Sequence, residues 1–511
     1  MRVVSITPEI ALDNFPVYAG GLGVLEADKF YAAARKGWSY TVLTFFYPKG
    51  YVDYDFSNDE LIQKPQNITT ESLAVETDIV FQSGYLGEEV VVRPYAKSVG
   101  RSKVVFFHVL SPERAAHATE RLYVYEQQDA RDLSAIILAK AAKAYITDRI
   151  GVENVDYIDL QESMGALITY LLPELKSKTR YVVHTIAPWT NFGVNAETVR
   201  KDIPEADVGE GGLSLYYVAL RNTPRTFAVS AKHEQLVRQV AEPFSHKISH
   251  VTNGVDLERW THPEIARIVA QKKSIEVDDF LRARRKMRHQ LEELLRKYKD
   301  GLSFENMFVV AWPRRITRYK RPYFVEKLVN EFADRENIFF VLGGKAHPFD
   351  ADGHYFMKRF RELERKFRNV VYLHDYDVEK AKVILSSVDL LLFTPFPGWE
   401  ACGTSYMKAG INGVPSLSSR DGGILEVVRD GFNGWLFGRE LDYLVNIYTD
   451  HEKAAEIEAD YGDMIRKFRE IHRLYVEKPE KYVDVQINAL KSMRQYFDIE
   501  KTLAKYYESS G

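Results

Sequence analysis

Arg314-Arg315-Ile316-Thr317-Arg318-Tyr319-Lys320-Arg321 places five cations in eight residues, directly after the apolar run Phe308–Ala311. A basic cluster is most often a solvated helix face. This one follows a strand-like run, and open α/β sheets hold ligands at the carboxyl ends of their strands. There Arg315 offers a planar fork and Lys320 a point charge to one phosphate group. A second candidate is Pro397-Gly-Trp-Glu400-Ala-Cys-Gly403-Thr404-Ser-Tyr-Met-Lys408. Its Gly-Thr-Ser turn, followed by a helix, can present backbone amides to an anion or a sugar hydroxyl, while Glu400 accepts hydrogen bonds from that sugar. Lys408 lies about two helical turns beyond Glu400. It is either a snorkelling surface lysine or a desolvated amine suited to a Schiff base.

Three further segments carry weaker signals. Tyr18-Ala-Gly20-Gly21-Leu-Gly23-Val24 follows the first strand-like run and leads into a helix. Its glycines allow close approach of a ligand to the backbone, although a tight turn with no ligand reads the same way. His184 ends the run Val182-Val183-His184 and could equally be a hydrogen-bonded core histidine. Asn253-Gly254 marks a turn at another strand end, which Asn-Gly favours by itself.

The elements that must position these residues alternate short β-branched or aromatic runs with longer helical patterns, the signature of parallel sheets covered by helices. The fold class is α/β. Strands are expected at Val3–Ile6, Tyr40–Phe46, Val104–Val109, Tyr157–Leu160, Tyr181–His184, Thr226–Val229 and Ile248–Val251. A charged segment, Pro263–Asp300, with helical spacing reads as a linker helix, after which strands restart at Phe308–Ala311, Ile338–Leu342, Val370–Leu373, Leu390–Phe393 and Trp435–Phe437. The expected division is a first lobe over 1–301, a second over 302–438, and helices over 439–511 returning to brace the first, with the active site in the cleft between lobes.

A chain of 511 residues is too long for one core. With 45% hydrophobic and 28% charged residues it has an ordinary globular composition. The formal charge of -3 provides no bulk field for nucleic acid or anionic membrane. The single cysteine, Cys402, excludes an intramolecular disulfide framework, and no Cys/His spacing points to a metal. No stretch reaches the roughly 20 apolar residues of a membrane span, and the N-terminus lacks a signal-peptide pattern, so a cytoplasmic location is expected. The cysteine-poor, charge-rich composition with 31 Tyr points weakly to a thermophile.

Taken in order, the motifs resemble the α-glucan (glycogen, starch or maltodextrin) phosphorylase family, especially its short prokaryotic members. The likeness runs from Glu9-Ile-Ala-Leu-Asp and Gly20-Gly-Leu-Gly-Val-Leu through His184-Thr and Val251-Thr-Asn-Gly-Val. It continues in Arg315-Ile-Thr-Arg-Tyr-Lys320-Arg, Gly344-Lys-Ala-His-Pro-Phe-Asp350, Asp375-Tyr-Asp377 and Glu400-Ala-Cys-Gly-Thr-Ser-Tyr-Met-Lys408 with Asn412-Gly413. The resemblance implies a GT-B architecture of two Rossmann-like lobes and reversible phosphorolysis of terminal α-1,4-glucan bonds to α-glucose 1-phosphate with retention. Its implied partners are an α-glucan or maltodextrin and inorganic phosphate or glucose 1-phosphate, and its implied cofactor is pyridoxal 5'-phosphate on Lys408. The implied catalytic set is His184, Arg315, Lys320 and Glu400. Arg314, Gly403 and Thr404 join Lys408 at the cofactor; Gly20, Gly21, Gly23, Asn253 and Tyr319 contact substrate. A homo-oligomer is compatible with this reading and not fixed by it.

Two departures keep alternatives open. In Leu160-Gln-Glu-Ser-Met164 the family usually has a histidine where this sequence has Met164, and Arg420-Asp-Gly-Gly-Ile-Leu-Glu-Val-Val428 looks like the donor loop of nucleotide-sugar enzymes. The alternatives are an ADP- or UDP-glucose-dependent glucan synthase and an inactive glucan-binding protein. Lys408 favours the phosphorylase, because a lysine cannot accept hydrogen bonds from ribose hydroxyls. A paired-carboxylate glycosidase fits poorly with so cationic a cluster.

Overall fold

The computed structural model describes the chain except residues 16, 59, 186–192, 208–212, 272–273, 336 and 509–511. The chain forms two compact units, each built on one main sheet. Unit one comprises Met1–Val52, Pro65–Thr252 and Leu503–Gly511; unit two comprises Asp53–Lys64 and Asn253–Thr502.

In unit one, seven strands run parallel in the spatial order Ile248–His250, Arg225–Ala228, Thr179–Val182, Tyr157–Gln161, Arg2–Ile6, Ser39–Phe45 and Ser102–Ser111. Glu88–Val99 adds to the far edge antiparallel and carries Ala74–Val75 and Ile79–Ser83. These three edge strands were not expected from the sequence. The central strands are buried along nearly their whole length, as a sheet covered on both faces requires. In sequence terms the first and fourth strands, Arg2–Ile6 and Tyr157–Gln161, are neighbours. The connections therefore diverge at their carboxyl ends, the place where such sheets open a crevice.

A buried ion pair locks the end of the chain to this sheet. Arg180 donates to Asp159 Oδ1 from Nε (2.8 Å) and Nη2 (2.6 Å), and from Nη1 to the Tyr506 carbonyl (2.6 Å). Tyr507 donates to Asp159 Oδ2, and its ring lies 4.5 Å from the Arg180 guanidinium. Arg180 and Asp159 are almost fully buried, which is tolerable only because each is paired on several sides.

Unit two has six parallel strands in the order Val370–Leu373, Ile338–Gly343, Phe308–Pro313, Leu390–Phe393, Ser416–Ser419 and Trp435–Phe437. Numbered by sequence this is 3-2-1-4-5-6, the order of a dinucleotide-type doubly wound sheet, with its switch point between Phe308–Pro313 and Leu390–Phe393. Both units thus carry the α/β architecture expected of a GT-B chain.

The boundaries differ from those expected. The division falls at Thr252/Asn253 rather than near Leu302, and the helices Pro263–Gln271 and Val277–Leu295 belong to unit two instead of linking the lobes. Phe280 and Met287 pack with Ile265, Val483 and Ile487 in one apolar cluster. Two cations of this segment cap helix ends. Arg284 donates to the carbonyls of Ser386, Ser387 and Val388, and Lys299 Nζ to those of Glu364, Phe367 and Val370, where a helix C-terminus favours positive charge.

The helices Asp460–Glu477 and Pro479–Tyr496 also belong to unit two, and only the chain from Leu503 returns to unit one. The reason is aromatic packing. Phe468 meets Phe308, Phe332 and Phe340, and Tyr482 donates to the Asp389 carbonyl at 2.8 Å. The end of the expected helical segment 439–511 lies outside the described residues. A hairpin, Asp53–Ser57 with Glu60–Lys64, comes from the N-terminal part of the chain yet belongs to unit two. It is held by Tyr54 Oη to His354 Nε2 (2.8 Å), Lys345 Nζ to Asp53 (2.7 Å), and Phe56 edge-on to His374.

Candidate active site

In unit two the candidate residues gather at the switch point. Where Phe308–Pro313 ends, Arg314 N donates to the Gly343 carbonyl and Ile316 N to the Lys345 carbonyl, both at 2.9 Å, so the chains leaving strands one and two stay together. Gly344, at φ +136°, lies so close that a Cβ would come 1.9 Å from the Arg314 carbonyl oxygen. The Arg314 guanidinium crosses to strand four. It sits 4.0 Å from the Phe393 ring centroid and donates from Nη2 to Glu400 Oε2 at 2.7 Å. Its Nε and Nη1 are buried with no hydrogen-bond partner. Gly403 leaves room for this arrangement: a Cβ there would come 2.2 Å from Phe393 Cζ and 3.1 Å from Glu400 Oε1.

Lys320 and Tyr319 lie in the short turn Arg318–Lys320, which is tied to the chain leaving strand four. Thr394 Oγ1 donates to the Lys320 carbonyl (2.8 Å) and Phe396 N to the Tyr319 carbonyl (2.6 Å). Arg321, fully buried at φ +52°, fixes the turn from beneath by donating to the Thr394 and Pro395 carbonyls at 3.0 and 2.8 Å. Its left-handed backbone is rare for a non-glycine residue and here is held by these bonds. Tyr319 stacks on Trp399, with ring centroids 5.8 Å apart.

Three cationic side chains, Arg314, Arg315 and Lys320, bear electrostatically on one carboxylate. Burial alone would raise the Glu400 carboxyl, but Arg314, Lys320 and Arg315 outweigh it and hold the group below the usual carboxylate range. Glu400 is therefore ionised at neutral pH. Burial pushes the Lys320 ammonium well below its usual range; Arg314 and Arg315 push the same way and Glu400 opposes them. Burial, then Glu400, moves Tyr319 up to about 12. An excess of buried positive charge with unused N–H groups on Arg314 suits an anion, phosphate above all.

Lys408 is 5% exposed, so it is not a snorkelling surface residue. Its Nζ donates to Thr404 Oγ1 at 2.9 Å and lies 4.1 Å from the Trp260 ring centroid. Asn412 Nδ2 bridges the Lys408 and Trp260 carbonyls at 2.9 and 2.8 Å. Asn253 joins the same region by donating to the Cys402 carbonyl at 3.4 Å, and its Oδ1 is buried without a partner. Trp260 was not picked from the sequence. Its place seven residues beyond Asn253 at the end of the helix Leu257–Trp260 carries no spacing signal by itself.

The remaining expected residues lie in unit one. The glycine loop turns two of its amides onto a protein carboxylate: Ala19 N and Gly20 N donate to Glu9 Oε2 at 2.5 and 3.1 Å, while Tyr123 Oη donates to Oε1. Gly23 is required there, since a Cβ would come 2.9 Å from Glu9 Oε2 and from Tyr18 Cβ; Gly20 and Gly21 face open space. His184 lies at the other side of that unit's switch point. Its N–H donates to Glu162 Oε1 (2.6 Å), Thr185 Oγ1 donates to the same oxygen (2.8 Å), and its Nε2 lies 3.0 Å from Gln161 Oε1. Burial, then Lys29 and His233, hold the imidazole well below its usual value, so it is neutral. Glu162 is a residue the sequence reading passed over. It sits at φ +65°, is nearly buried, and burial raises its carboxyl despite the N–H and hydroxyl donors around it. The available signal was an acidic residue at the carboxyl end of the fourth strand. Met164 is part of the apolar core, 3% exposed.

Among the described residues, no group of three or more His, Cys, Asp or Glu side chains could hold a metal ion, and no helix is long and apolar enough to cross a membrane.

A family model described as carbohydrate phosphorylase matches residues 361–510, a span that includes Glu400, Gly403, Thr404 and Lys408. A maltodextrin phosphorylase of Thermococcus litoralis is 22% identical over 97% of this chain and 68% of its own length. A glycogen phosphorylase of Aquifex aeolicus is 26% identical over 99% of this chain and 85% of its own. An uncharacterized protein of Methanocaldococcus jannaschii is 24% identical over 96% of both chains. The likeness read from the motifs therefore extends along nearly the whole chain.

Proposed function

We propose that this chain, a relative of the carbohydrate phosphorylases, catalyses the reversible, retaining phosphorolysis of terminal α-1,4 bonds in an α-glucan or maltodextrin, giving α-glucose 1-phosphate. The observation that carries this reading is the group of three cations around ionised Glu400, with two buried N–H groups of Arg314 unused. In this reading Arg315 and Lys320 hold inorganic phosphate as it attacks the anomeric carbon on the face the leaving sugar vacates. Glu400 accepts a hydrogen bond from a glucosyl hydroxyl. Its own pairing with Arg314 keeps it charged and oriented. A fixed array of cations stabilises charge as it develops and needs no reorganisation at the moment of reaction. His184, neutral and oriented through Glu162 and Gln161, offers a second polar contact suited to a sugar.

The residues also fit pyridoxal 5'-phosphate. Lys408 has the burial expected of a Schiff-base lysine, and Arg314 Nε and Nη1 form a ready donor set for a phosphate. When bound, the cofactor supplies a phosphate group for proton transfer to the glycosidic oxygen. Thr404 Oγ1 fixes the lysine amine, and Trp260 covers it.

The test is to record the absorbance of the purified protein for a bound Schiff base, then assay maltodextrin with phosphate and, separately, ADP- or UDP-glucose with acceptor. Colour, phosphorolysis, and loss of both in Lys408→Ala are expected. A colourless protein active only with a nucleotide sugar refutes the reading, and full phosphorolysis in Lys408→Ala removes the cofactor anchor.

A further inference from the structure

The segment Arg420–Val428 is where the sequence departs from the phosphorylase pattern, and its second residue reaches the Glu400 loop. Asp421 is 1% exposed and follows the strand Ser416–Ser419. Its Oδ2 accepts from Glu400 N at 2.7 Å, and its Oδ1 accepts from Gly422 N at 2.9 Å, capping the turn Gly422–Glu426. Gly422, at φ +65°, lies against the other end of the same residue: a Cβ there would come 2.5 Å from the Glu400 carbonyl oxygen. The dipeptide Asp421-Gly422 thus brackets Glu400, with the carboxylate on its N–H and a bare Cα against its C=O. Arg314 holds the other end of the residue, the carboxylate.

We propose that Asp421 is a positioning residue for Glu400, its ionised carboxylate fixing the Glu400 peptide so that the side chain meets a glucosyl hydroxyl in a single orientation. This rests on the reading of Glu400 as the sugar contact. The charged groups bearing on Asp421 are the Glu400 carboxylate and the Arg321 guanidinium, the latter held by the Thr394 and Pro395 carbonyls. Burial pushes the Asp421 carboxyl up to about 7, with the N–H groups of Glu400, Gly398 and Gly422 pulling down and the Glu400 charge adding to the rise. Protonation below neutrality replaces a charge-assisted hydrogen bond to Glu400 N with a neutral one, which is the weaker kind. The grip on Glu400 is then strongest above pH 7.

Asp421→Asn mimics the protonated form at every pH. The ratio of wild-type to variant kcat/KM for glucose 1-phosphate, measured across pH 5.5 to 8.5, cancels the titration of the substrate's own phosphate. About a tenfold or greater advantage of wild type is expected near pH 8, falling toward parity near pH 6. Hydrogen exchange at the Glu400 amide supplies an arm independent of catalysis: faster exchange in Asp421→Asn is expected near pH 8 and equal exchange near pH 6. Gly422→Ala keeps the Asp421 charge and displaces Glu400 from its carbonyl side, so it lowers kcat/KM by a factor that does not change with pH. A constant Asp421→Asn ratio, unchanged exchange at Glu400, or a fully active Gly422→Ala overturns the proposal. If wild type shows no phosphorolysis, the functional reading fails and the exchange measurement still decides whether Asp421 holds Glu400.

Discussion

Arg314→Met removes one half of a buried pair and leaves the other in place. The two side chains are 6% and 11% exposed and meet at 2.7 Å, so solvent screens the pair little. Removing one partner of such a pair typically costs about 3–5 kcal/mol, because the remaining charge is stranded. Lys320 and Arg315 stay beside Glu400 and take up part of the loss, which places the expected destabilisation of unit two at about 2–3 kcal/mol. The pH dependence has a definite sign. In wild type the Glu400 carboxyl is held below its ordinary value, so its contribution is fully present above the unfolded pKa near 4.5 and is lost as pH falls through the lower folded value. The variant loses most of that contribution, and the gap between the two proteins therefore closes in acid. Urea unfolding followed by tryptophan fluorescence reads this out, since Trp260, Trp312, Trp399 and Trp435 all lie in unit two. A cycle with Glu400→Gln isolates the coupling, and the double variant should recover part of the stability lost in Arg314→Met. A gap that is as wide at pH 4 as at pH 7, or a coupling under about 0.5 kcal/mol, refutes the assignment of Arg314 as the counter-charge of Glu400.

Two other substitutions test the supporting structure. Gly403→Ala places a methyl group 2.2 Å from Phe393 Cζ and against Glu400, so it should cost about 1–3 kcal/mol in thermal unfolding and lower kcat/KM together. Arg180→Met strands Asp159 in the core of unit one at a cost of about 3–5 kcal/mol, and Asp159→Asn in the same chain should restore part of it in urea unfolding.

The central strands and the motif-bearing loops were legible from sequence because both rest on local signals. A short apolar run bounded by charged residues reads as a buried parallel strand whether or not its neighbours are known. Val370–Leu373 and Leu390–Phe393 form at the expected bounds. Ser416–Ser419 was missed because three serines among its four residues give no apolar run, although all four are buried. The division into compact units differs from the expected one for another reason. Charge in Pro263–Asp300 looked like a solvated linker, while Arg284 and Lys299 spend that charge on carbonyls at the ends of helices far away in sequence. At the candidate site, Arg315, Lys320, Glu400 and Lys408 stand out by residue type near a strand end. Asp421, Glu162 and Trp260 do not, because their positions depend on contacts with residues distant in sequence, and in the case of Glu162 on a left-handed backbone angle.

The bond between Arg180 and the Tyr506 carbonyl joins residues 326 positions apart, and that between Asp159 and Tyr507 spans 348. Chains emerge from the ribosome at about 5–20 residues per second, so Asp159 and Arg180 wait roughly 20 to 70 s for their partners. During that time the centre of the first sheet carries a charged pair without the tyrosines that complete it. The first unit to be synthesised is therefore the last to be finished.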